Sequence, residues 1–372
     1  MAPEPKVFEM AFSFMKRLNA NFIREILERD ISPEEFFTLP TKELSSRLGI
    51  TANHSFDKLE REEALALAMK EWEEIKNHGI KPLFFLDDNY PARLAEIEDA
   101  PIIIYKLGDA DLDSAEIVSI VGTRKPTPYG VEFCKKLVSE ISVYFPKALI
   151  VSGLAYGIDA AAHKAALESD LPTVAVVAHG LNMIYPANHR GMAKEILRKG
   201  GAIISEYPFG VKPFKPNFLA RNRIVAALSD LTVVVESALK GGAISTANFA
   251  FSYSREVAAL PGRISDELSA GCNNLIRKQK ASIIEGITDF IEISGWKPLD
   301  IGLYVTPGNL FPELEGDTKN IYELLKYSPE PVQPDFISQK SGLPISRVIA
   351  ILSEMEFDGI VIRYPGNRFS PA

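Results

Sequence analysis

The chain has 372 residues, 46% hydrophobic and 24% charged, a composition ordinary for soluble globular protein and a length that suits two or three units. No stretch approaches the roughly 20 apolar residues that cross a bilayer, and the opening MAPEPKVFEM lacks a basic region followed by an apolar run, so no membrane partner and a cytoplasmic location are expected. The net charge of −8 argues against a polyanion only on average: residues 115–290 carry 20 Lys and Arg against 15 Asp and Glu, while 1–114 carry 14 against 23 and 291–372 carry 7 against 11.

Residues 1–80 read as helices, with apolar spacing over 8–18 and 22–27 and a long run over 55–76 containing Leu59, Leu65, Leu67, Met69 and Trp72. Pro33, Pro40 and Gly49 punctuate short helices, which suits a small helix-hairpin-helix or SAM-like domain or a plain helical spacer. From about residue 100 short β-branched runs alternate with helical stretches: 102–105, 117–121, 148–151, 174–177, 202–205, 232–235 and 257–260. Uninterrupted apolar strands between helices predict an α/β fold, a Rossmann-like, doubly wound and mainly parallel sheet covered on both faces, over residues 81–295. A Pro- and Gly-bearing linker is expected at 296–317. Residues 318–372 then offer three helical segments, a strand, a Pro-Gly-Asn turn and a second strand, the layout of a winged-helix domain that could meet either DNA or protein. The two cysteines, Cys134 and Cys272, are too few for a disulfide framework and read as buried thiols.

Four strand-end loops carry the chemistry. Gly122, Thr123 and Arg124 follow the 117–121 strand, where small residues let backbone N–H groups approach an anion and the guanidinium can fork onto a phosphate; a tight turn with a surface arginine is the plainer reading. Ser152 and Gly153 begin a second turn, with Gly157 and with Asp159 as a candidate N-cap; His163, one helical turn on, suggests either an acid/base pair with Asp159 or a structural hydrogen bond. The segment 207–223 holds Lys212, Lys215, Arg221 and Arg223 without one acidic residue, interleaved with Phe209, Phe214 and Phe218. Pro208, Pro213 and Pro216 argue against a continuous helix there, so it reads as a basic aromatic loop, the chemistry a single-stranded nucleic acid requires: cations for the backbone, ring faces for the bases. Lys240, Gly241 and Gly242 open the fourth loop before a helix. The chain has no GxxxxGK[ST], no GxGxxG after the first strand, no HExxH and no carboxylate cluster with metal-ligand spacing, so no catalytic residue, metal or cofactor is expected, although Glu206 and Glu236 stand at the same edge as candidate acids.

Taken in order, the motifs resemble the DprA/Smf family of DNA-processing proteins of bacterial natural transformation. They are Tyr90-Pro-Ala-Arg-Leu94, Val121-Gly-Thr-Arg124 with Tyr129-Gly130, Ser152-Gly-Leu-Ala155 with Gly157-Ile-Asp159 and His163, and Ile184-Tyr-Pro186. Ser205-Glu-Tyr-Pro208, Arg221-Asn-Arg-Ile224, Gly241-Gly242 with Thr246-Ala247, Pro261-Gly262 and Gly271-Cys-Asn-Asn-Leu-Ile276 follow. The resemblance implies an extended Rossmann fold, a homodimer, single-stranded DNA held in a basic pocket, and loading of RecA recombinase onto DNA otherwise covered by single-strand-binding protein. Carried over, the Gly122-Thr123-Arg124 turn would hold a phosphate, Lys212, Lys215, Phe214 or Phe218 and Arg221 would line the groove, and Asn222 would position the loop. Tyr156 stands where many members have Arg, which trades a charge for a stacking face, and residues 240–245 read KGGAIS where SGSLI is commoner. The competing reading is a Rossmann-like nucleotide-binding enzyme or sensor, similar to nucleoside monophosphate hydrolases, with Glu236 as its carboxylate.

Overall fold

The computed structural model describes residues 3–16, 18–49, 57–299, 314, 316–326, 328, 331–357, 360–364 and 367–371. The chain divides into two compact units, Met1–Leu299 and Asp300–Ala372. The expected linker at 296–317 lies largely outside the described residues.

The first unit begins with α1 Pro5–Ala11, α2 Ala20–Glu28, α3 Pro33–Thr38, α4 Thr41–Leu48 and α5 Lys58–Asn77. Local chemistry sets their limits: Asn19 caps α2, Ser32 and Glu35 form a capping box around α3 with Pro33 at its first turn, and Gly49 ends α4 at φ 64°. Phe12 sits among Phe36, Phe37 and Phe84 with ring centroids 5.1, 5.1 and 6.4 Å away, and one continuous core runs from these helices into the sheet. The α5 face differs from the expectation. Leu59 and Leu67 are 60% and 51% exposed, and the buried stripe is Arg61, Ala64, Ala68, Glu71 and Ile75. Arg61 belongs inside because its guanidinium donates to the carbonyls of Phe36 and Leu39 and to Thr41 Oγ1, satisfying the open end of α3.

The sheet has nine strands: β1 Lys81–Phe84, β2 Ile103–Gly108, β3 Ile117–Val121, β4 Leu149–Ser152, β5 Thr173–Val176, β6 Ala202–Ser205, β7 Leu231–Val234, β8 Glu256–Ala259 and β9 Ser282–Ile283. Their order is β1-β2-β6-β5-β4-β3-β7-β8-β9, antiparallel for β1 with β2 and β2 with β6, and parallel elsewhere. The six central strands are the apolar runs read from the sequence, and all but the first residue of β8 are buried. Between them come α6 Ala92–Ala95, α7 Pro128–Tyr144, α8 Ile158–Glu168, α9 Arg190–Arg198, α10 Lys215–Ala227, α11 Gly242–Ser252, α12 Ala270–Arg277 and α13 Ile287–Ser294. The chain winds outward from β3 to β6, then returns to place β7 on the other side of β3. The adjacent carboxyl ends of β3 and β7 are therefore a topological switch point, where open α/β sheets leave a crevice.

One expectation is corrected in this region. The segment 207–223 is not a loop throughout: α10 starts at Lys215 with Pro216 in its first turn and runs to Ala227. Proline breaks a helix interior because it lacks an N–H and clashes with the preceding turn, and neither cost applies at a helix start.

The second unit is a winged helix: α14 Gly316–Lys326, α15 Pro334–Ser341 and α16 Ile345–Phe357 precede an antiparallel hairpin of β10 Val361–Tyr364 and β11 Arg368–Pro371. Its own core includes Ile321, Leu325, Ile337, Val348, Leu352 and Phe369.

Candidate functional site

At the switch point the loops after β3, β4 and β7 and the first half of α10 enclose a cavity of about 670 Å³. Ten of the residues expected to bind DNA line it, namely Gly122, Thr123, Arg124, Gly153, Lys215, Phe218, Arg221, Asn222, Gly241 and Gly242, and Asp159 lines it with them. They have different jobs.

Thr123 stitches the site together. Its N–H donates to the Glu236 carbonyl (2.6 Å), its own carbonyl accepts from Ile158 N (3.2 Å), and its Oγ1 accepts from Lys125 N (3.3 Å). The Thr123 N–H is thus committed to the fold, and the exposed guanidinium of Arg124 is the anion-binding side chain of the turn. Gly157 allows the approach: it sits at φ 82°, and a Cβ there would stand 2.1 Å from the Thr123 carbonyl oxygen. Glu236 is buried and its carboxylate accepts from Thr127 N (2.8 Å) and Thr127 Oγ1 (2.5 Å), while a Cβ on Gly130 would meet it at 2.5 Å. Thr127 in turn caps α7. The carboxylate of the hydrolase reading is consumed by the turn, and Glu206 is paired with Arg223 at 2.6 Å.

Arg221 reaches the cavity wall but is buried, its guanidinium engaged by the fold. Its Nη1 donates to the carbonyls of Gly153 (2.8 Å) and Val176, joining the ends of β4 and β5. Asp159 faces it across Gly153, where a Cβ would lie 2.6 Å from Arg221 Nη2 and 2.7 Å from Asp159 Oδ2. Burial raises the Asp159 pKa and lowers that of Arg221, each opposed by the charge of the other. Asp159 is not the cap of α8, whose N-cap is Gly157. Nor does it pair with His163, whose Nδ1 lies 2.7 Å from Thr173 Oγ1. Since Thr173 Oγ1 donates to the Ile150 carbonyl, His163 is the donor; burial lowers its pKa to about 3 and keeps it neutral.

Arg223 points elsewhere, bound to Glu206 and Asp99, the latter at 3.3 Å. Ser152 is buried and donates to the Ile120 carbonyl. Lys212 and Phe214 are exposed on the approach to α10, Phe214 at 63%, and Lys240 lines a neighbouring groove; none of the three lines the cavity. Both thiols are buried, with Cys134 and Cys272 pushed up to about 12 by burial.

What remains open to a ligand is a cationic and aromatic wall. Arg124 is exposed with its guanidinium carbon 5.6 Å from the centroid of the Phe218 ring, and Tyr185 tilts on that ring at 5.7 Å. Among the described residues neither Arg124 nor Lys215 forms an ion pair. Asn222 fixes the opposite rim through Nδ2 to the Gly242 carbonyl (3.3 Å). Tyr185 was not among the candidate residues, since it lies 33 positions before Phe218 in a stretch with no charge cluster; the Ile184-Tyr-Pro186 motif was its only signal.

The segment between β6 and α10 is held from outside the cavity by α5. The buried Glu71 carboxylate accepts from Phe209 N at 2.6 Å, His78 lies 4.7 Å from the Phe209 ring, and Asn182 Oδ1 accepts from Gly210 N. Burial, with Glu74 adding to it, raises the Glu71 pKa to about 7 against the Phe209 N–H, which lowers it. The folded chain therefore holds a proton that the unfolded chain loses near 4.5. Stability is expected to fall between those values as pH rises, by on the order of 2 kcal/mol, and then level off. Urea titrations at several pH values should find that Glu71→Gln flattens this slope; an unchanged slope would assign it to another group.

The comparisons agree with this architecture. The family model for "DNA recombination-mediator protein A" matches residues 81–295, and that for "DprA winged helix domain" matches 307–367. The chain is 36% identical over 271 residues to the putative DNA processing protein DprA of Mycobacterium tuberculosis, spanning 72% of this chain and 68% of that protein. It is 35% identical over 306 residues to protein Smf of Escherichia coli, spanning 80% and 78%. The X-ray structure of DNA processing protein A from Streptococcus pneumoniae superposes with a TM-score of 0.64 at 29% identity, covering 78% of this chain and 98% of that one. A structure of the Helicobacter pylori protein, described for its single-stranded DNA binding mode, gives 0.52 at 36% identity over 57% and 94%.

Proposed function

We propose, from the premise that the chain belongs to the DNA recombination-mediator protein A family of DprA/Smf DNA-processing proteins, that its switch-point cavity binds single-stranded DNA and performs no chemistry on it. The observation that carries this reading is Arg124, which forms no ion pair among the described residues and is laid on Phe218 beside Tyr185, with Lys215 across the same cavity. A cation for the phosphate next to ring faces for a base is what a single strand presents and a duplex withholds. The consumption of Glu236 by Thr127 favours this reading over the nucleotide hydrolase. The relative from Helicobacter pylori, 36% identical, supports the same ligand.

The role follows as a cytoplasmic homodimer that protects incoming strands during natural transformation and passes them to RecA in the presence of single-strand-binding protein. Residues 81–295 would be the DNA-binding domain, with 1–80 and 318–372 as flanking domains. A mobility-shift titration across salt concentrations tests the central claim. Oligothymidine should bind far more tightly than duplex, with log K falling linearly in log salt. Equal affinity for duplex, or release of base from nucleoside monophosphates, would overturn it.

A further inference from the structure

Beside the switch-point cavity lies a second groove of about 510 Å³, bordered by Lys240, Asn248 and Ser252 and floored by Leu219, Ile244 and Phe249. The two are continuous: Leu219, Gly241 and Gly242 line both. The ridge between them carries no side chain: Gly241 is fixed by packing, since a Cβ there would stand 2.2 Å from Ser237 Oγ, whereas Gly242 is open. A Cβ on Gly242 would meet no atom within 4 Å, and its φ is not in the left-handed region. A glycine costs conformational entropy on folding, and nothing in the packing of this fold requires one at that position. A strand crossing the ridge close to the backbone would give it a reason.

We propose that the single strand leaving the first cavity crosses Gly241 and Gly242 and continues into this second groove. This rests on the function proposed above. Lys240, which forms no ion pair among the described residues, takes the next phosphate. The exposed Leu219 and Leu239 and the ring of Phe249, stacked at 6.0 Å on Tyr253, receive the next base. Charge on one wall and apolar and aromatic surface on the other repeat the pattern of the first cavity.

The test uses the full chain. Ser252→Cys gives an exposed thiol for an environment-sensitive fluorophore, because Cys134 and Cys272 are both buried. Oligothymidines from about 2 to about 16 nucleotides span the usual site sizes of single-strand grooves. Short oligomers should bind without changing the label; longer ones should bind more tightly and shift its emission. Asn248→Glu combined with Ser252→Glu, both exposed positions on α11, should remove about 10-fold of the affinity gained with length and leave short oligomers unaffected. If the label stays silent and the double variant keeps the full length dependence while Arg124→Ala weakens all binding, the second groove is not the path and the first cavity stands. If Arg124→Ala also leaves every oligomer bound as before, the switch-point reading fails and this proposal with it. Equal melting curves for all variants confirm that folding is not being read.

Discussion

Arg124→Ala together with Lys215→Ala is expected to weaken oligothymidine binding about 100-fold at moderate salt and to leave the melting temperature unchanged. Both side chains are exposed, neither forms an ion pair among the described residues, and both line the switch-point cavity. A charge-assisted hydrogen bond contributes about 1.5–3 kcal/mol, so losing two such contacts at the lower figure corresponds to about two decades of affinity. Removing two phosphate contacts should also make the slope of log K against log salt shallower by about 1.4. Fluorescence anisotropy at several salt concentrations measures both. Unchanged affinity would place the groove elsewhere on the molecule.

Arg221→Ala should behave differently, although the residue sits in the same motif. The guanidinium is buried and bridges the carbonyls of Gly153 and Val176, so its removal leaves two acceptors without a donor and takes away the larger of the two cationic influences, Arg221 and Arg124, that favour ionised Asp159 against its burial. The expected cost is about 3 kcal/mol of stability, read by urea denaturation. Arg221→Lys should recover part of the loss, because one ammonium nitrogen can donate to both carbonyls as Nη1 does but has no second arm lying toward Asp159 as Nη2 does. Adding Asp159→Asn to Arg221→Ala should restore part of the loss, since a buried carboxylate that has lost its main cationic partner is then gone. A side chain that only touched phosphate would leave stability within about 0.5 kcal/mol, and such a result would return Arg221 to the groove.

The contrast between these two arginines marks how far the sequence could be read. The central strands were legible because burial on both faces of a parallel sheet needs four or five consecutive apolar residues, a property of adjacent positions. The edge strands were not: β1 reads Lys-Pro-Leu-Phe, and both residues of β9 are exposed. The exposed Leu59 and Leu67 misled for the same reason that the buried Arg61 and Glu71 were missed, since each depends on what α5 packs against.

By itself, then, the amino-acid sequence determined a parallel α/β core, a basic middle segment, a winged-helix layout at the end and the set of loops that would meet at the carboxyl edge. Only the tertiary structure decided which of their side chains are free. Arg221 finds its acceptors 68 and 45 residues away, Arg223 pairs with Glu206 and with Asp99, and Glu236 is taken by Thr127, 109 positions earlier. Arg124 finds Phe218 and, among the described residues, no ion pair, the buried Asp159 acting on it only at longer range. Whether a charge is spent on the fold or left for a ligand is set by partners that the chain brings together only when the sheet closes, and no local pattern of residues encodes it.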